Sequence, residues 1–174
     1  MKEMYFAGGC FWGMEKLFQC LDGVCDTDCG YANGKDGIEV SYQRVCQGDT
    51  EYRECVHVSY DEAKITLKQL LDAFFFVVDP TTKNQQGNDL GTQYQTGLYY
   101  VNEDDAKIIQ AYVDTIKSKY PVFVVEVKPL ECFILAEDYH QDYLQKNPTG
   151  YCHIPSAKYE EVNAYVHKDK GSAE

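Results

Sequence analysis

Residues 6–18 read FAGGCFWGMEKLF, so two glycines, a cysteine and two aromatic residues stand between an expected strand and an expected helix. The strand is predicted from MYFAG (residues 4–8), and the helix from apolar residues at helical spacing, which are Met14, Leu17, Phe18 and Leu21. Cys10 then lies at the helix N-terminus, where unpaired backbone N–H groups and the helix dipole favour an anion. The pattern predicts a stabilised thiolate at Cys10.

The rest of the chain alternates between strand and helix patterns. A loop is predicted over residues 25–37, and strands over 39–47 and 54–60 are expected to pair as a hairpin. A capping-box spacing at Thr66 and Gln69 predicts a helix that Pro80 ends. The remaining predictions are a polar loop (81–93), a strand (94–101), a helix (103–120), a strand (122–130), a helix (136–146) and an irregular tail from residue 147.

This order predicts an α/β (α+β) fold, a two-layer sandwich in which helices cover a mixed sheet. A chain of 174 residues is long enough to bury one core. We therefore expect a single domain over residues 1–174, with its core at about 4–146 and an irregular C-terminal tail over 147–174.

Charge and composition exclude several classes of partner. The formal net charge is −12 without a local basic cluster, so neither nucleic acid nor an anionic membrane surface is an expected partner. The longest apolar run, AFFFVV (73–78), is too short to span a bilayer, and the first residues lack the pattern of a secretory signal. We expect a cytoplasmic protein whose eight cysteines are mostly free thiols.

Cys10 by itself has two interpretations of similar weight, a reactive nucleophile and a buried cysteine in a tight connection. The next two residues favour the first. Phe11 and Trp12 are adjacent, and neighbours on a helix point about 100° apart, so both cannot face the core. At least one aromatic ring is predicted to be available to a ligand.

Three ordered motifs carry a family resemblance: GGCFWG (8–13), GNDLGTQY (87–94) and AEDYHQDYLQKNPTGYC (136–152). On these motifs the chain resembles the A-type peptide methionine sulfoxide reductases from Met4 to about Ile154. The resemblance implies reduction of the S epimer of methionine sulfoxide, free or in oxidised proteins, in the repair of oxidative damage. It implies no cofactor and no metal.

The resemblance also assigns roles to residues of this chain. Cys10 is implied as the nucleophile, Glu54 as the acid that protonates the sulfoxide oxygen, and Tyr42 and Tyr94 as hydroxyls that bind that oxygen. Substrate binding is implied for Phe11, Trp12, Asp89 and Tyr151, with the two aromatic rings of the first motif holding the methyl group.

The residues before Glu54 depart from the family pattern. A Gly-His-Ala-Glu run is usual there, whereas this chain has Glu51, Tyr52 and Arg53 before the acid. Arg53 is expected to be able to pair with Glu54 and lower its pKa. Leu90, where histidine is common, is a milder departure.

The resemblance implies that Cys152 resolves the sulfenic acid of Cys10 as a disulfide, which a thioredoxin or another dithiol would then reduce. No cysteine follows Cys152, so a two-cysteine cycle is expected, with a third participant left open among Cys20, Cys25, Cys29, Cys46, Cys55 and Cys132.

Two other functions remain open at this stage. Cys10 with a distant histidine and an acid would suit a cysteine hydrolase, and the cysteine count would suit a non-enzymatic metal-binding module, although the spacing of Cys20, Cys25 and Cys29 fits no common metal motif. The four histidines, His57, His140, His153 and His167, are predicted to lie outside the site. A monomer is expected, because the chain has no coiled-coil seam.

Overall fold

The structure is a computed structural model that describes residues 1–168. Within these residues there are eight strands, β1 (Lys2–Ala7), β2 (Val24–Ala32), β3 (Arg53–Tyr60), β4 (Gln85–Gln86), β5 (Asp89–Leu90), β6 (Gly97–Tyr100), β7 (Glu126–Pro129) and β8 (Phe133–Leu135). The same residues form six α-helices, α1 (Phe11–Gln19), α2 (Tyr42–Cys46), α3 (Leu67–Val77), α4 (Glu103–Ile116), α5 (Tyr143–Lys146) and α6 (Ser156–His167).

The main sheet has the order β7-β6-β1-β3-β2-β8, and β4 and β5 form a small ladder of their own. β6 and β7 are parallel, whereas the other neighbours in the main sheet are antiparallel. The predicted mixed sheet covered by helices is therefore confirmed.

The side chains of β1 alternate between the two faces of the sheet, one of which is covered by the helices. Met4 and Phe6 point into the large core beneath the helices, and Phe6 lies 4.5 Å from the ring of Phe18 on α1. Tyr5 and Ala7 point to the opposite face. Because strand side chains alternate, β1 contributes to two separate apolar clusters.

The main sheet is strongly curled. β7 and β8 are its two edges, yet only residues 130–132 connect them. Four residue steps span at most about 14 Å, so the edges must approach each other across the face opposite the helices. Asn33, which directly follows β2, connects the two sides with its side chain. Its amide nitrogen donates to the carbonyl of Pro129, and its amide oxygen accepts from the backbone N–H of Glu131.

The predicted hairpin is wrong, because residues 25–32 of the predicted loop belong to a strand and residues 39–47 do not form one. β2 occupies most of the first segment and pairs with β3 from Val24 to Ala32. Its acidic residues face outward, where Asp28 meets His57, so their polarity is compatible with a strand. In the second segment the Ser41 hydroxyl caps a short helix by accepting from the N–H of Arg44.

The C-terminal predictions need two corrections. Only residues 143–146 of the predicted helix 136–146 are α-helical, and Asp142 before them has a left-handed backbone, with φ +53°. The tail is irregular only as far as residue 155, because α6 follows. Tyr159, Val162 and Val166 bury one side of α6 in the core, a spacing typical of an amphipathic helix.

Other helix predictions are confirmed. Thr66 and Gln69 form both hydrogen bonds of a capping box at the start of α3. The predicted helix 103–120 corresponds to α4. The side chain of Asn102 caps its N-terminus, and a 3-10 turn follows its C-terminus. Within residues 1–168 no helix is long and apolar enough to cross a membrane.

Candidate active site

Cys10 occupies the N-cap position of α1, directly after the turn that follows β1. Gly9 has φ +94°, a backbone conformation that favours glycine, and a Cβ there would lie 2.8 Å from Cβ of Gln86. Glycine is therefore required both by the backbone conformation and by the close contact with Gln86. The turn presents Cys10 between the end of a buried strand and the first turn of a helix, as predicted. Its side chain is buried, with 6% of the residue exposed.

The protonation of Cys10 differs from the prediction. Burial raises the pKa of its thiol well above the usual value, and the charge of Glu54 raises it further. Hydrogen bonds from the backbone N–H groups of Trp12 and Gly13 lower the pKa, but they do not outweigh burial. The helix terminus therefore favours the thiolate, as expected, while the resting group is a thiol.

Glu54 lies in β3, opposite Tyr31 of β2, and is 1% exposed. Its Oε1 accepts a hydrogen bond of 3.2 Å from the N–H of Phe11, the residue after the cysteine. Its Oε2 is buried and has no hydrogen-bond partner among residues 1–168. Burial raises the pKa of Glu54 to about 8, so the carboxyl is mostly neutral at pH 7.

Arg53 does not pair with Glu54, so that expectation is wrong. Its Nε lies 3.2 Å from Oε1 of Glu126, and its Nη1 donates to the carbonyl of Thr92 at 3.0 Å. Alternation along β3 explains the result, because adjacent side chains point to opposite faces of the sheet. Of the other departures, Tyr52 is buried against Gly34, whereas Leu90 is exposed.

Tyr42 and Tyr94 reach the same site from different elements. Tyr42 begins α2, and Tyr94 ends a 3-10 turn over Thr92–Tyr94. Burial raises the pKa of both phenols, and the neighbouring charges of Glu54 and Cys10 raise it further. Both hydroxyls therefore remain protonated and can donate hydrogen bonds.

Phe11 and Trp12 begin an aromatic cluster beside the thiol. The ring of Phe11 stacks on Tyr42 with centroids 6.5 Å apart, and Trp12 stacks on Tyr143 at 3.8 Å. Trp12 is half-buried and Phe11 is fully buried. Aromatic faces of this kind form an apolar, polarisable surface that suits an S–CH3 group.

His140 belongs to this cluster, contrary to the prediction for the histidines. Its ring lies 5.1 Å from Phe11 and 4.5 Å from Tyr42, and its Nδ1 accepts a 3.0 Å hydrogen bond from the indole N–H of Trp12. Burial lowers the pKa of His140, so the ring is neutral and its proton is on Nε2. The one feature of the sequence that could have placed His140 in the site is its position within the third motif.

Asp89 and Tyr151 meet at the rim of the site. The hydroxyl of Tyr151 donates to Oδ1 of Asp89 at 2.9 Å, while Oδ2 of Asp89 is buried without a hydrogen-bond partner in the described part of the chain. Tyr151 is 48% exposed. The two residues therefore link the loop after α3 to the C-terminal segment.

Cys152 lies against the first turn of α1. A Cβ at Gly13 would be 3.3 Å from Sγ of Cys152 and 3.2 Å from Nδ1 of His153. Nε2 of His153 donates to the carbonyl of Gly8 at 3.2 Å, which places a second histidine beside the turn that carries Cys10. The prediction that the histidines lie outside the site is therefore wrong for His140 and His153.

Of the other six cysteines, Cys46 forms a hydrogen bond with the side chain of Tyr42, and the remaining five lie outside this arrangement or behind it. Cys29 is buried under α1, and its thiol donates to the carbonyl of Phe11 at 3.6 Å. All eight cysteines, each within residues 1–168, are free thiols. Among these residues no group of three or more His, Cys, Asp or Glu side chains could hold a metal ion.

A buried thiol at a helix terminus, a neutral carboxyl and a second thiol near the same helix are typical of a thiol-dependent oxidoreductase. A family model described as peptide methionine sulfoxide reductase matches residues 2–171. The peptide methionine sulfoxide reductase MsrA of Clostridium acetobutylicum is 52% identical over 156 residues, which cover 89% of this chain and 96% of that protein.

Two solved structures of a yeast protein are also similar to this chain. Mxr1 from Saccharomyces cerevisiae in its reduced form has a TM-score of 0.83 and 42% identity, and the match covers 87% of this chain and 88% of the yeast chain. Mxr1 in complex with Trx2 matches with a TM-score of 0.58 and 27% identity, over 82% of this chain and 84% of that chain.

The chain belongs to the peptide methionine sulfoxide reductase family. It is an oxidoreductase that reduces methionine sulfoxide. The comparisons do not favour the hydrolase or the metal-binding module.

Proposed function

We propose that this enzyme reduces the S epimer of methionine sulfoxide, free or in oxidised proteins, through a sulfenic acid on Cys10. Glu54 is the acid, Tyr42 and Tyr94 bind the sulfoxide oxygen, and Phe11 and Trp12 hold the methyl group. Asp89 and Tyr151 bind the rest of the substrate at the rim. The observation that carries the proposal is the buried Oε2 of Glu54, a neutral carboxyl oxygen without a hydrogen-bond partner in the described residues, next to the nucleophile.

The first step moves an oxygen atom from one sulfur to another. Sγ of Cys10 attacks the sulfoxide sulfur and forms an S–S bond while Oε2 of Glu54 gives its proton to the sulfoxide oxygen, and the thiol proton replaces it on the carboxylate. The S–O bond of the substrate then breaks with release of hydroxide, and attack of hydroxide on Sγ breaks the S–S bond and forms the new S–O bond. The products are Cys10–S–OH and methionine, so the thiol is oxidised by two electrons and the sulfoxide is reduced by two. A carboxyl with a pKa of about 8 suits this exchange, because it can give and regain a proton near neutral pH.

The second step regenerates the site. The thiol of Cys152 attacks Sγ of the Cys10 sulfenic acid, an S–S bond forms, and the hydroxyl leaves with the thiol proton as water. A dithiol then reduces the disulfide to two thiols and is itself oxidised to a disulfide. Trx2 bound to yeast Mxr1 supports a thioredoxin as this reductant.

The proposal also covers assembly, domain organisation and location. Most of the buried apolar residues form one large core, which supports one catalytic domain over residues 1–174, and the enzyme is proposed to be a monomer. Eight free thiols are typical of a reducing compartment, which supports a cytoplasmic location.

The test uses one equivalent of S-configured methionine sulfoxide without reductant. The wild-type protein should form one equivalent of methionine, lose two thiols and contain a Cys10–Cys152 disulfide by peptide mapping. Cys152→Ser should form the same methionine but lose one thiol, and Cys10→Ser should form none.

Two results would contradict the proposal. Methionine formation by Cys10→Ser would show a different nucleophile, and reduction of the R epimer alone would contradict the stereochemistry. Cys25→Ser is a matched control, because Cys25 is exposed and lies outside the site, and it should behave as wild type.

A further inference from the structure

The segment after Cys152 carries a buried tyrosine that the chemistry above does not use. Tyr159 lies on α6 and is 8% exposed. Its hydroxyl oxygen is 2.8 Å from Sγ of Cys152 and 3.1 Å from the carbonyl of Gly13 on α1. One hydroxyl therefore joins the second thiol to the helix whose N-terminus carries the first.

The Tyr159 hydroxyl and the Cys152 thiol can each donate, so two arrangements of these hydrogen bonds fit the distances. In one, the thiol donates to the Tyr159 oxygen and the hydroxyl donates to the carbonyl of Gly13. In the other, the thiol donates to the carbonyl of Ile154 at 3.3 Å and the hydroxyl donates to Sγ. Burial and the bond to Cys152 raise the pKa of Tyr159, so the hydroxyl stays protonated. The phenol is thus able to orient the thiol but not to deprotonate it.

The location is suited to the second step. Gly13 is three residues after Cys10, which is about 4.5 Å along the axis of a helix. The Cys152 thiol beside Gly13 therefore lies about one helical turn along α1 from the residue with which it is proposed to form the disulfide. Tyr151 and His153 fix the chain on either side of Cys152 through Asp89 and the carbonyl of Gly8, and Tyr159 is the α6 side chain that contacts the thiol itself.

The C-terminal half of α6 is also hydrogen-bonded to the segment that follows α1. Asn163 accepts from the N–H of Asp22 at 2.9 Å and donates to its side chain at 3.0 Å, beyond the C-terminus of α1. Lys16 lies 4.5 Å above the ring of Tyr159, which keeps that ring against α1. α6 therefore runs along α1 with Tyr159 at the end next to Cys152.

We propose that Tyr159 is a positioning residue for the second step, and that its hydroxyl holds the Cys152 thiol at the first turn of α1 for attack on the Cys10 sulfenic acid. This inference rests on the proposed function. The chemistry is that of the second step above, with water as the only other product, and Tyr159 neither gains nor loses a proton overall.

The test separates the two steps in Tyr159→Phe, which keeps the ring and removes the hydroxyl. With one equivalent of S-configured methionine sulfoxide, methionine should form at the wild-type rate within about twofold. The second thiol should disappear about five to ten times more slowly, the rate equivalent of one hydrogen bond. Dimedone, which traps sulfenic acids, should label Cys10 more strongly than in wild type.

Two variants of α6 serve as controls. Tyr165→Phe removes an exposed hydroxyl from the same helix and should leave both steps unchanged. Asn163→Ala loosens the far end of α6 while keeping the Tyr159 hydroxyl, and its second step should stay near the wild-type rate. Thermal unfolding of the reduced variants checks that each one folds.

Each contrary outcome has a defined meaning. Disulfide formation at the wild-type rate in Tyr159→Phe would overturn the inference and leave the proposed function intact. An equal slowing in Asn163→Ala would assign the effect to helix docking and overturn it too, as would a parallel loss of methionine formation in Tyr159→Phe. Failure of the wild-type protein to form methionine would overturn the proposed function and this inference together.

Discussion

At the scale of single residues, burial controls the protons of the candidate site. Glu54 and Cys10 are acids that water would leave largely or partly ionised near neutral pH, yet the surroundings of both raise the pKa. The backbone N–H of Phe11 offsets this for Glu54 only in part. The enzyme therefore rests with both protons that the first step rearranges already in the site.

Replacing the acid tests this arrangement. Glu54→Gln keeps the shape and the acceptor for Phe11 N–H but carries no acidic proton. Methionine formation should fall by about 10²–10⁴-fold, the usual contribution of general acid catalysis. The measurement is a single turnover with S-configured methionine sulfoxide, and a rate within threefold of wild type would exclude Glu54 as the acid.

The same carboxyl should make stability depend on pH. Between the ordinary pKa of 4.5 and the folded pKa of about 8, folded Glu54 holds a proton that the unfolded chain has lost. Its stabilisation is thus fully present below about pH 4.5 and is lost as the pH rises through 8, with a slope of up to about 1.4 kcal/mol per pH unit. Urea unfolding of wild type and Glu54→Gln at pH 5 to 8 measures the difference.

Glu126 provides a control, because its contribution to stability should change with pH in the opposite direction to that of Glu54. Burial alone would raise the pKa of Glu126, but the hydrogen bond from Lys128 and the charge of Arg53 outweigh it and lower the pKa. Its stabilisation is present above the ordinary pKa and is lost as the pH falls through the folded value. In Glu126→Gln the difference from wild type should therefore shrink toward acid pH, and parallel pH curves for both variants would contradict the two assignments.

At the scale of elements, the site depends on how short segments are fixed to the sheet. Arg53 is an example, because it precedes Glu54 in β3 but points away from it. Its guanidinium donates to the carbonyls of Glu51 and Thr92 and pairs with Glu126 of β7. It thereby ties the 3-10 turn that carries Tyr94 to two strands of the sheet.

Loosening that turn should affect the oxygen-binding hydroxyl. In Arg53→Ala, Tyr94 should be held less well, and kcat/KM should fall about three- to tenfold, in line with the loss of one or two charge-assisted hydrogen bonds. Arg44→Ala is the matched control, because Arg44 pairs with exposed Asp49 outside the site, and its kcat/KM should not change. Equal effects of the two substitutions on steady-state kinetics would argue against this role for Arg53.

At the scale of the whole molecule, the curled sheet has two apolar sides that contribute differently. The large core beneath the helices supports Cys10 and Glu54, whereas the small cluster on the other face contains Tyr5 and Tyr99 with Phe133 packed against it. The ring of Phe133 lies 5.1 Å from that of Tyr5 and occupies the place that a side chain at residue 30 would need. The short link between β7 and β8 is held in place there.

Removing this ring should therefore lower stability without altering the chemistry. Phe133→Ala should reduce the free energy of unfolding by about 2–3 kcal/mol, less than a fully buried phenylalanine because Phe133 is half-buried, with kcat within twofold of wild type. Leu135→Ala on the same strand is 57% exposed in wild type and should cost less than about 0.5 kcal/mol. Chemical denaturation provides the comparison, and a large loss of kcat in Phe133→Ala would contradict the separation of the two sides.

The sequence by itself determined the features that a few neighbouring residues encode. The strand, turn and helix around Cys10, the capped start of α3 and the length of α4 follow from local spacing, turn chemistry and capping. The family resemblance also named residues that the structure brings together, including Cys10, Glu54, Tyr42 and Tyr94.

Only the tertiary structure decided how those residues are tuned. Residues 24–32 form a strand because β3 and β8 pair with it, and α6 forms where the apolar side of a mostly polar segment meets α1 and α3. The raised pKa of Glu54, the partner of Arg53 and the contact of Trp12 with His140, 128 residues away, all depend on what distant segments cover. The physical reason is that capping and periodicity act within one or two turns of chain, whereas burial is a property of the packed molecule.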